Sequence, residues 1–208
     1  MPQPDRATIV FDPATGRILA ADDAACASLG RSREELLGLE ITLRPPPAAE
    51  QGGTDPLTGL ADRTTFSRRL AAALAEAAAR PDYRFAVLFL DLDGFKAVND
   101  RLGHLGGDRV LAEIAGRLAR AVRPDDLVAR FGGDEFTVFL DRVSHEADAL
   151  AAARRLQARV DEPLPGAEPN SVSASVGVAV SWDGYRAPEA MLEAADQAMY
   201  RAKRGLDR

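Results

Sequence analysis

The chain has 208 residues, 46% hydrophobic and 28% charged, with a formal net charge of −6. Such a composition is ordinary for one globular domain with a small appendage, and the negative charge argues against a surface that binds DNA or RNA. The single cysteine, Cys26, excludes an internal disulfide bond. No apolar run is long enough for a membrane helix, and the first residues lack the pattern of an export signal. We therefore expect a cytoplasmic protein without a membrane segment.

Residues 45–53 form a Pro- and Gly-rich stretch that divides the chain. Consecutive prolines lack amide donors and favour extended backbone, so this stretch is predicted to be a linker. Residues 1–44 are too few to fold independently with ease, whereas residues 54–208 are enough for a complete domain.

Beyond the linker, helical and strand-like apolar spacings alternate along the chain. Helical spacing between Arg63 and Arg80 predicts a helix that Pro81 stops. The continuous apolar run at residues 85–90 is typical of a strand buried on both faces. The remaining predicted elements are a helix carrying Val110–Leu118, a hairpin of strands 127–131 and 136–140, a helix capped by Ser144 that reaches Val160, a half-buried strand over 171–182, and a helix opened by Pro188. The expected fold class is α/β, with a mixed central sheet and surrounding helices.

Asp91 and Asp93 follow directly after the predicted buried strand. Ligands of open α/β sheets gather at the carboxyl ends of strands, and side chains two apart on a strand point to the same face. Carboxylates in this arrangement provide the oxygen ligands that Mg²⁺ prefers. The alternative is that these aspartates only cap the following turn.

The second acidic cluster is the turn Gly132-Gly133-Asp134-Glu135, which lies at the tip of the predicted hairpin. Its glycines permit positive φ and let phosphate oxygens approach the backbone amides. Adjacent carboxylates at an exposed tip repel each other unless a cation neutralises them, although an ordinary hairpin turn remains the alternative. Together with Asp91, these carboxylates can share divalent metal ions of the kind used in nucleotidyl transfer.

These clusters belong to a longer pattern of five motifs in order. They are DPLTGL at 55–60; DLDGFK at 91–96 with ND, GH and GD at 99–100, 103–104 and 107–108; RFGGDEF at 130–136; SVG at 175–177; and AADQAMYRAK at 194–203. Over residues 54–208 the chain resembles the GGDEF family of diguanylate cyclases, whose fold is of the nucleotidyl-cyclase (palm-like) type. The resemblance implies an enzyme that condenses two GTP molecules into cyclic di-GMP and releases pyrophosphate.

The resemblance also implies the roles of the acidic residues. Asp134 and Glu135 would be catalytic, with Asp134 helping to remove the proton from the ribose 3′-hydroxyl. Mg²⁺, or Mn²⁺ in its place, would be bound by Asp91, Asp134, Glu135 and the carbonyl of Leu92. Each domain of the family supplies one GTP, so the resemblance implies a homodimer.

The implied nucleotide site centres on Asn99 and Asp108, which would recognise guanine. A carboxylate accepts the N1 and N2 hydrogens of guanine and faces a lone pair at N1 of adenine, so GTP is favoured. His104 would line the site unless it is a structural turn residue, and Lys96 and Lys203 would hold phosphates unless they are ordinary surface lysines. The substrate-binding residues implied are Phe95, Lys96, Asn99, His104, Asp108, Gly132, Gly133 and Lys203.

A product-binding site is implied by Arg123 and Asp126, which resemble the family's RxxD inhibitory motif at its usual spacing before Gly132. Arg130 is expected to assist them, because arginine offers a planar fork for guanine or phosphate. A solvated loop is the alternative. The expected consequence is feedback inhibition by cyclic di-GMP.

The two ends of the chain depart from the family pattern. Asp207 stands where the family usually has a phosphate-binding arginine, for which Arg204 or Arg208 would substitute, and Asp62 replaces a common asparagine. Residues 1–44 resemble the first half of a PAS sensor domain. We expect a shortened PAS-like α+β segment that mediates dimerisation rather than a cofactor sensor, and no residue in it indicates haem or flavin.

Two other functions fit parts of the pattern. One is a catalytically weak receptor of the same fold that binds GTP or cyclic di-GMP. The other is a palm-type nucleotidyl transferase with a different substrate. The three carboxylates at 91, 134 and 135 argue against the first function, and Asp108 argues against the second.

Overall fold

The computed structural model describes residues 9–11, 18–29, 31–37, 53–164 and 172–205. The chain divides into two compact units, Met1–Pro46 and Pro47–Arg208. Their boundary falls within residues 45–53, and of this predicted linker only Gly53 lies within the described residues.

The N-terminal unit contains strands β1 (Ile9–Phe11) and β2 (Ile18–Ala21), which pair antiparallel, and helices α1 (Asp23–Leu29) and α2 (Arg33–Leu36). Ser32 caps α2 reciprocally with Glu35: the Ser32 amide donates to Glu35 Oε2 (2.8 Å) and the Glu35 amide donates to Ser32 Oγ (3.3 Å). This two-stranded α+β arrangement does not show a PAS domain, and the PAS-like assignment of residues 1–44 stays a prediction.

The larger unit is built on a five-stranded mixed sheet in the order β3-β5-β6-β4-β7. Only β3 and β5 pair in parallel, and the other neighbours are antiparallel. The strands are β3 (Ala61–Asp62), β4 (Ala86–Asp93), β5 (Leu127–Gly132), β6 (Glu135–Leu140) and β7 (Ser173–Val180). The helices are α3 (Arg63–Ala79), α4 (Phe95–Ala121), α5 (Glu146–Val160) and α6 (Pro188–Lys203), with a 3₁₀ turn at Ser181–Asp183. The α/β fold with a mixed sheet is confirmed.

Strand β4 lies between the two hydrophobic cores of this unit. Leu88, Leu90 and Leu92 belong to the core beneath α4 and α5, whereas Val87 and Phe89 belong to the core beneath α3 and α6. Both faces are covered, which explains the continuous apolar run and confirms its interpretation. Because side chains alternate along a strand, the residues at 91 and 93 face the α3 and α6 side.

Two helices begin at residues that the sequence pattern did not predict. Helix α4 starts at Phe95 and is broken at Gly103 (φ 69°), so its first turns were missed because glycines interrupt the apolar spacing. Helix α5 begins after His145 and not after Ser144; the His145 amide donates to Asp148 Oδ2 (3.0 Å). Asp62 caps α3, accepting from the Thr65 amide (2.7 Å).

The half-buried strand predicted for residues 171–182 is present as β7 (Ser173–Val180) and is more buried than predicted. Small residues on one of its faces let α6 pack closely, and an added Cβ at Gly177 would lie 2.1 Å from the Ala195 carbonyl oxygen and from the Met199 amide nitrogen. The sequence pattern did not show this, because small side chains permit close helix packing as well as solvent exposure.

Within the described residues no helix is long and apolar enough to cross a membrane.

We expect Gly177→Ala to destabilise the larger unit by about 1–3 kcal/mol or more, since the new methyl group forces backbone atoms of α6 away from β7. Urea unfolding followed by circular dichroism measures the loss. Gly116→Ala is the matched control, because the added Cβ meets only the flexible end of Arg120 (3.1 Å) and replaces a helical glycine, which stabilises by about 0.5–1 kcal/mol. Equal stability of the two variants would contradict close packing at Gly177.

Candidate active site at the end of strand β4

The two acidic clusters predicted from the sequence meet at one end of the sheet. Asp91 on β4 pairs directly with Glu135 on β6 and with Ser175 on β7. Directly opposed residues share a face with Cβ atoms about 5 Å apart. The Leu92 amide donates to the Asp134 carbonyl (3.3 Å), which fixes the hairpin tip against the end of β4. Antiparallel pairing therefore brings Asp91 next to Asp134 and Glu135, which are more than 40 residues away in the sequence.

Lys203 on α6 lies among these carboxylates. Its Nζ donates to Asp91 Oδ1 (2.5 Å) and lies 3.4 Å from Asp93 Oδ1. The hydroxyl of Ser175 donates to the other oxygen of Asp93 (2.7 Å). The hydrogen bond to Asp91 raises the pKa of Lys203 above its usual range, against a smaller opposing effect of burial. The ammonium group of Lys203 thus bridges the two aspartates of β4. The sequence analysis had expected Lys203 to hold a phosphate group.

The site carries excess negative charge around Glu135. Burial raises the pKa of the Glu135 carboxyl, and the charges of Asp91, Asp196 and Asp134 raise it further, whereas Arg63 opposes them. Asp196 of α6 was not among the predicted site residues, although it lies within the closing motif. A site of this kind attracts cations.

The chemistry of the donors fits a hard divalent cation. Carboxylate oxygens and a strand-end carbonyl are the ligands that Mg²⁺ and Mn²⁺ prefer. Within the described ranges, no three His, Cys, Asp or Glu side chains already converge at metal-binding distance. Lys203 instead pairs with Asp91 Oδ1, so a cation at this oxygen would have to displace the ammonium group.

A cavity of about 350 Å³ lies beside the carboxylates, between the first turns of α4 and the hairpin tip. The left-handed backbone at Gly103 turns the chain back, and a Cβ at Gly107 would lie 1.9 Å from Asn99 Oδ1 and 3.2 Å from Phe95 Cζ. Gly107 therefore leaves the space that the Asn99 amide occupies. The lining residues are Phe95, Lys96, Asn99, His104, Asp108, Leu111, Arg130, Gly133 and Asp134.

Seven of the nine lining residues were predicted as substrate-binding or catalytic residues. Leu111 was predicted only as part of a helix. Two predicted substrate residues are not in the lining: Lys203 contacts Asp91, and Gly132 pairs with Glu135 in the sheet.

Arg130 binds the hairpin tip and the turn at Asp55. Its Nε and Nη2 donate to the Gly133 carbonyl (3.0 and 2.8 Å), and its Nη1 lies 3.2 Å from both oxygens of Asp55. Burial alone would raise the pKa of Asp55, but hydrogen bonds from Thr58 and from Arg130 hold it below its usual range. Arg130 thus links the DPLTGL turn to the hairpin tip and lies at the other end of β5 from Arg123.

A second cavity, of about 180 Å³, contains Arg123 and Asp126 at the opposite end of β5. The arginine of α5 that joins them there is Arg155, whose Nε also donates to the Ala121 carbonyl (3.1 Å). Sequence spacing could not identify Arg155, because the folding of α5 against α4 brings it to the cavity. The sequence analysis had given the assisting role to Arg130.

The structure describes only part of the C-terminal departure from the family pattern. Arg204 packs over the Tyr200 ring (5.5 Å) and donates to its hydroxyl (3.3 Å). The two other positions concerned, Asp207 and Arg208, lie outside the described residues.

Comparison with known proteins identifies the class. Residues 53–207 match the family model "Diguanylate cyclase, GGDEF domain". The chain belongs to this family.

Individual relatives agree with this assignment. The chain is 44% identical over 158 residues to the diguanylate cyclase TpbB of Pseudomonas aeruginosa (strain UCBPP-PA14), covering 75% of this chain and 36% of TpbB. It is 40% identical over 154 residues to the response regulator PleD of Caulobacter vibrioides, covering 72% of this chain and 34% of PleD. The chain therefore spans about a third of the length of these curated relatives.

Solved structures share the fold. The isolated GGDEF domain of TpbB from P. aeruginosa is 44% identical with a TM-score of 0.68, and the match covers 74% of this chain and 90% of that domain. The GGDEF domain of DgcB from Caulobacter crescentus, solved in complex with c-di-GMP, is 32% identical with a TM-score of 0.67, and the match covers 73% of this chain and 88% of that one.

The Arg130–Asp55 pair generates a pH-dependent prediction. A carboxyl with a lowered pKa in the folded state adds stability above its unfolded-state pKa, and this stability is lost as the pH falls through the folded-state pKa. We expect Asp55→Asn to lower the free energy of unfolding at pH 7 by about 1–3 kcal/mol, the range for hydrogen bonds to charged groups, and by less as the pH falls below the usual aspartate range. Urea titrations between neutral and acid pH measure the difference. Asp125→Asn, at an exposed aspartate, is the control, and a pH-independent effect of Asp55→Asn would contradict the assignment.

Proposed function

We propose that the chain is a diguanylate cyclase that condenses two GTP molecules into cyclic di-GMP and releases pyrophosphate. The proposal rests on one observation. The carboxylates Asp91, Asp134 and Glu135 lie close together, and the cavity beside them is lined by Asn99 and Asp108. Carboxylates next to a base-sized cavity are the two parts that nucleotidyl transfer requires.

In this proposal Asp91, Asp134, Glu135 and the Leu92 carbonyl hold Mg²⁺, with Mn²⁺ as a substitute. The cation, when bound, would neutralise negative charge on the phosphate oxygens as it develops. Lys203 exchanges its bond to Asp91 for the phosphates of GTP, because an ammonium group and a divalent cation compete for the same carboxylate. Lys96, which lines the cavity, provides a second positive charge for the phosphates.

Asp134 and Glu135 are the catalytic residues in this proposal. Asp134 takes the proton of the ribose 3′-hydroxyl, and the resulting oxygen attacks the α-phosphorus of the second GTP. The bond from that phosphorus to the bridging oxygen breaks, and pyrophosphate leaves with the electron pair. The same step between the 3′-hydroxyl of the second nucleotide and the α-phosphorus of the first closes the ring and releases a second pyrophosphate. Gly132 and Gly133 keep the hairpin tip free of side chains where the phosphates approach.

Selection for guanine follows from the cavity. The Asp108 carboxylate accepts from N1–H and N2–H of guanine, whereas adenine presents a lone pair at N1 that this carboxylate repels. Asn99 adds an amide that both donates and accepts, and Phe95 and His104 line the remaining surface.

The stoichiometry requires two domains. One site holds one GTP, and a reaction between two GTP molecules needs the sites of two copies to face each other. We therefore propose a functional homodimer in the cytoplasm, where GTP is available, with residues 1–44 as a shortened PAS-like dimerisation segment.

Product binding is proposed at the second cavity. Arg123 and Asp126 would bind cyclic di-GMP, with Arg155 in the assisting role that the sequence analysis gave to Arg130. Arginines offer planar forks to guanine and phosphate, and a carboxylate accepts from the guanine edge.

Incubation of the purified chain with GTP and Mg²⁺ tests the activity, with the product identified by chromatography and mass. We expect cyclic di-GMP and pyrophosphate, and a loss of about 100-fold or more in kcat for Glu135→Gln, since electrostatic stabilisation of the reacting phosphates is reduced. Glu189→Gln, in the exposed first turn of α6, is the control. Binding of GTP without any cyclic di-GMP would favour the receptor function.

Feedback inhibition is tested with Arg123→Ala. We expect the concentration of cyclic di-GMP that halves the initial rate to rise about 10-fold or more, since a charged hydrogen-bond donor to the product is lost. Arg186→Ala, at an exposed arginine outside this cavity, is the control. Unchanged inhibition of Arg123→Ala would contradict the product site.

A further inference from the structure

The loop that carries Arg123 and Asp126 is attached to the end of strand β6 by one carboxylate. Asp126 Oδ2 accepts from the Arg123 backbone amide (2.9 Å), and Asp126 Oδ1 accepts from the Asp141 backbone amide (2.9 Å). Each oxygen keeps a second lone pair for a ligand. The orientation of the Asp126 carboxylate therefore depends on where the backbone of Asp141 lies.

The side chain of Asp141 fixes that backbone. Asp141 Oδ1 accepts from the Tyr83 hydroxyl (2.5 Å) and from Arg69 Nη2 (3.0 Å), and its side chain is only 12% exposed. The following residue, Arg142, has a positive φ of 49°, which a side-chain-bearing residue adopts only when its surroundings impose it.

The two donors to Asp141 are themselves held by aromatic packing. The Arg69 guanidinium lies 4.0 Å from the centre of the Phe139 ring, Phe139 stacks on Phe85 (5.1 Å), and Phe85 contacts the Tyr83 ring (5.8 Å). Burial raises the pKa of the Tyr83 hydroxyl, as does its bond to Asp141, so the hydroxyl stays a donor at neutral pH. These ring contacts and hydrogen bonds together hold the two donors against Asp141.

We propose that Asp141, which lines the second cavity and is anchored by Tyr83 and Arg69, is a positioning residue for the product-binding loop and sets the affinity for cyclic di-GMP through the orientation of Asp126. The proposal rests on the proposed product site at Arg123 and Asp126. It makes helix α3 part of the support of the inhibitory site, because Arg69 belongs to α3.

Isothermal titration of product-free protein with cyclic di-GMP, together with kcat and KM for GTP from initial rates, tests the proposal. We expect Tyr83→Phe to weaken cyclic di-GMP binding about fivefold, the value of one hydrogen bond, and to leave kcat and KM within twofold. Tyr185→Phe, which removes a hydroxyl outside this cluster, is the control. A dissociation constant of Tyr83→Phe within twofold of the unchanged chain would overturn the proposal, and so would equal losses in binding and in kcat, which indicate a purely structural role.

A double-mutant cycle asks whether Tyr83 and Asp141 act through one contact. If they do, Asp141→Asn and Tyr83→Phe together weaken binding no more than the more damaging single substitution. Additive losses would overturn the shared-contact explanation.

Arg123→Ala separates failure of this proposal from failure of the product site. If Arg123→Ala weakens cyclic di-GMP binding and Tyr83→Phe does not, the product site stands and the positioning role falls. If neither substitution changes binding, the proposed product site itself is overturned.

Discussion

Two carboxylates of the same charge oppose each other at one end of the sheet, and the surrounding cations and the hairpin tip are placed close to that pair. Asp91 and Glu135 are directly opposed on β4 and β6. Like charges in such positions destabilise a sheet unless a cation lies between or beside them. Here Lys203 binds Asp91, and Arg63 acts on Glu135 from α3. The repulsion between these carboxylates costs stability in the folded chain, and it also makes this end of the sheet favourable for cations.

The position of Lys203 depends on the close packing of α6 against β7. Lys203 lies in the last turn of α6, and α6 approaches β7 closely because Gly177 has no side chain. Gly177 also pairs with Phe89, two residues before Asp91 on β4. The SVG motif therefore supports the site in two ways, because Ser175 donates to Asp93 and Gly177 lets the helix that carries Lys203 pack closely on the sheet.

Features of the fold and of the site that depend on spacing along the chain could be predicted from the sequence, whereas features that depend on tertiary packing could not. The apolar run of β4, the hairpin and the last helix follow from spacing along the chain, and the family motifs assigned the residues of the catalytic cluster. The first turns of α4 were missed because the glycines in this part of the helix interrupt the apolar spacing. The same glycines leave the space in which the cavity forms. The positions of Arg130 and Arg155 depend on strand direction and helix packing. Spacing before Gly132 could not show that Arg130 turns toward Asp55 or that Arg155 joins Arg123.

The hairpin of β5 and β6 connects the two proposed sites. The residues of β5 span about 20 Å at the usual rise per residue, with Asp126 before its first residue and Gly133 after its last. Both strands are also paired on their outer edges, β5 with β3 and β6 with β4, so the hairpin belongs to the central sheet. The two cavities share no lining residue. The two proposed sites therefore lie at opposite ends of one hairpin and are built from different residues of the same sheet.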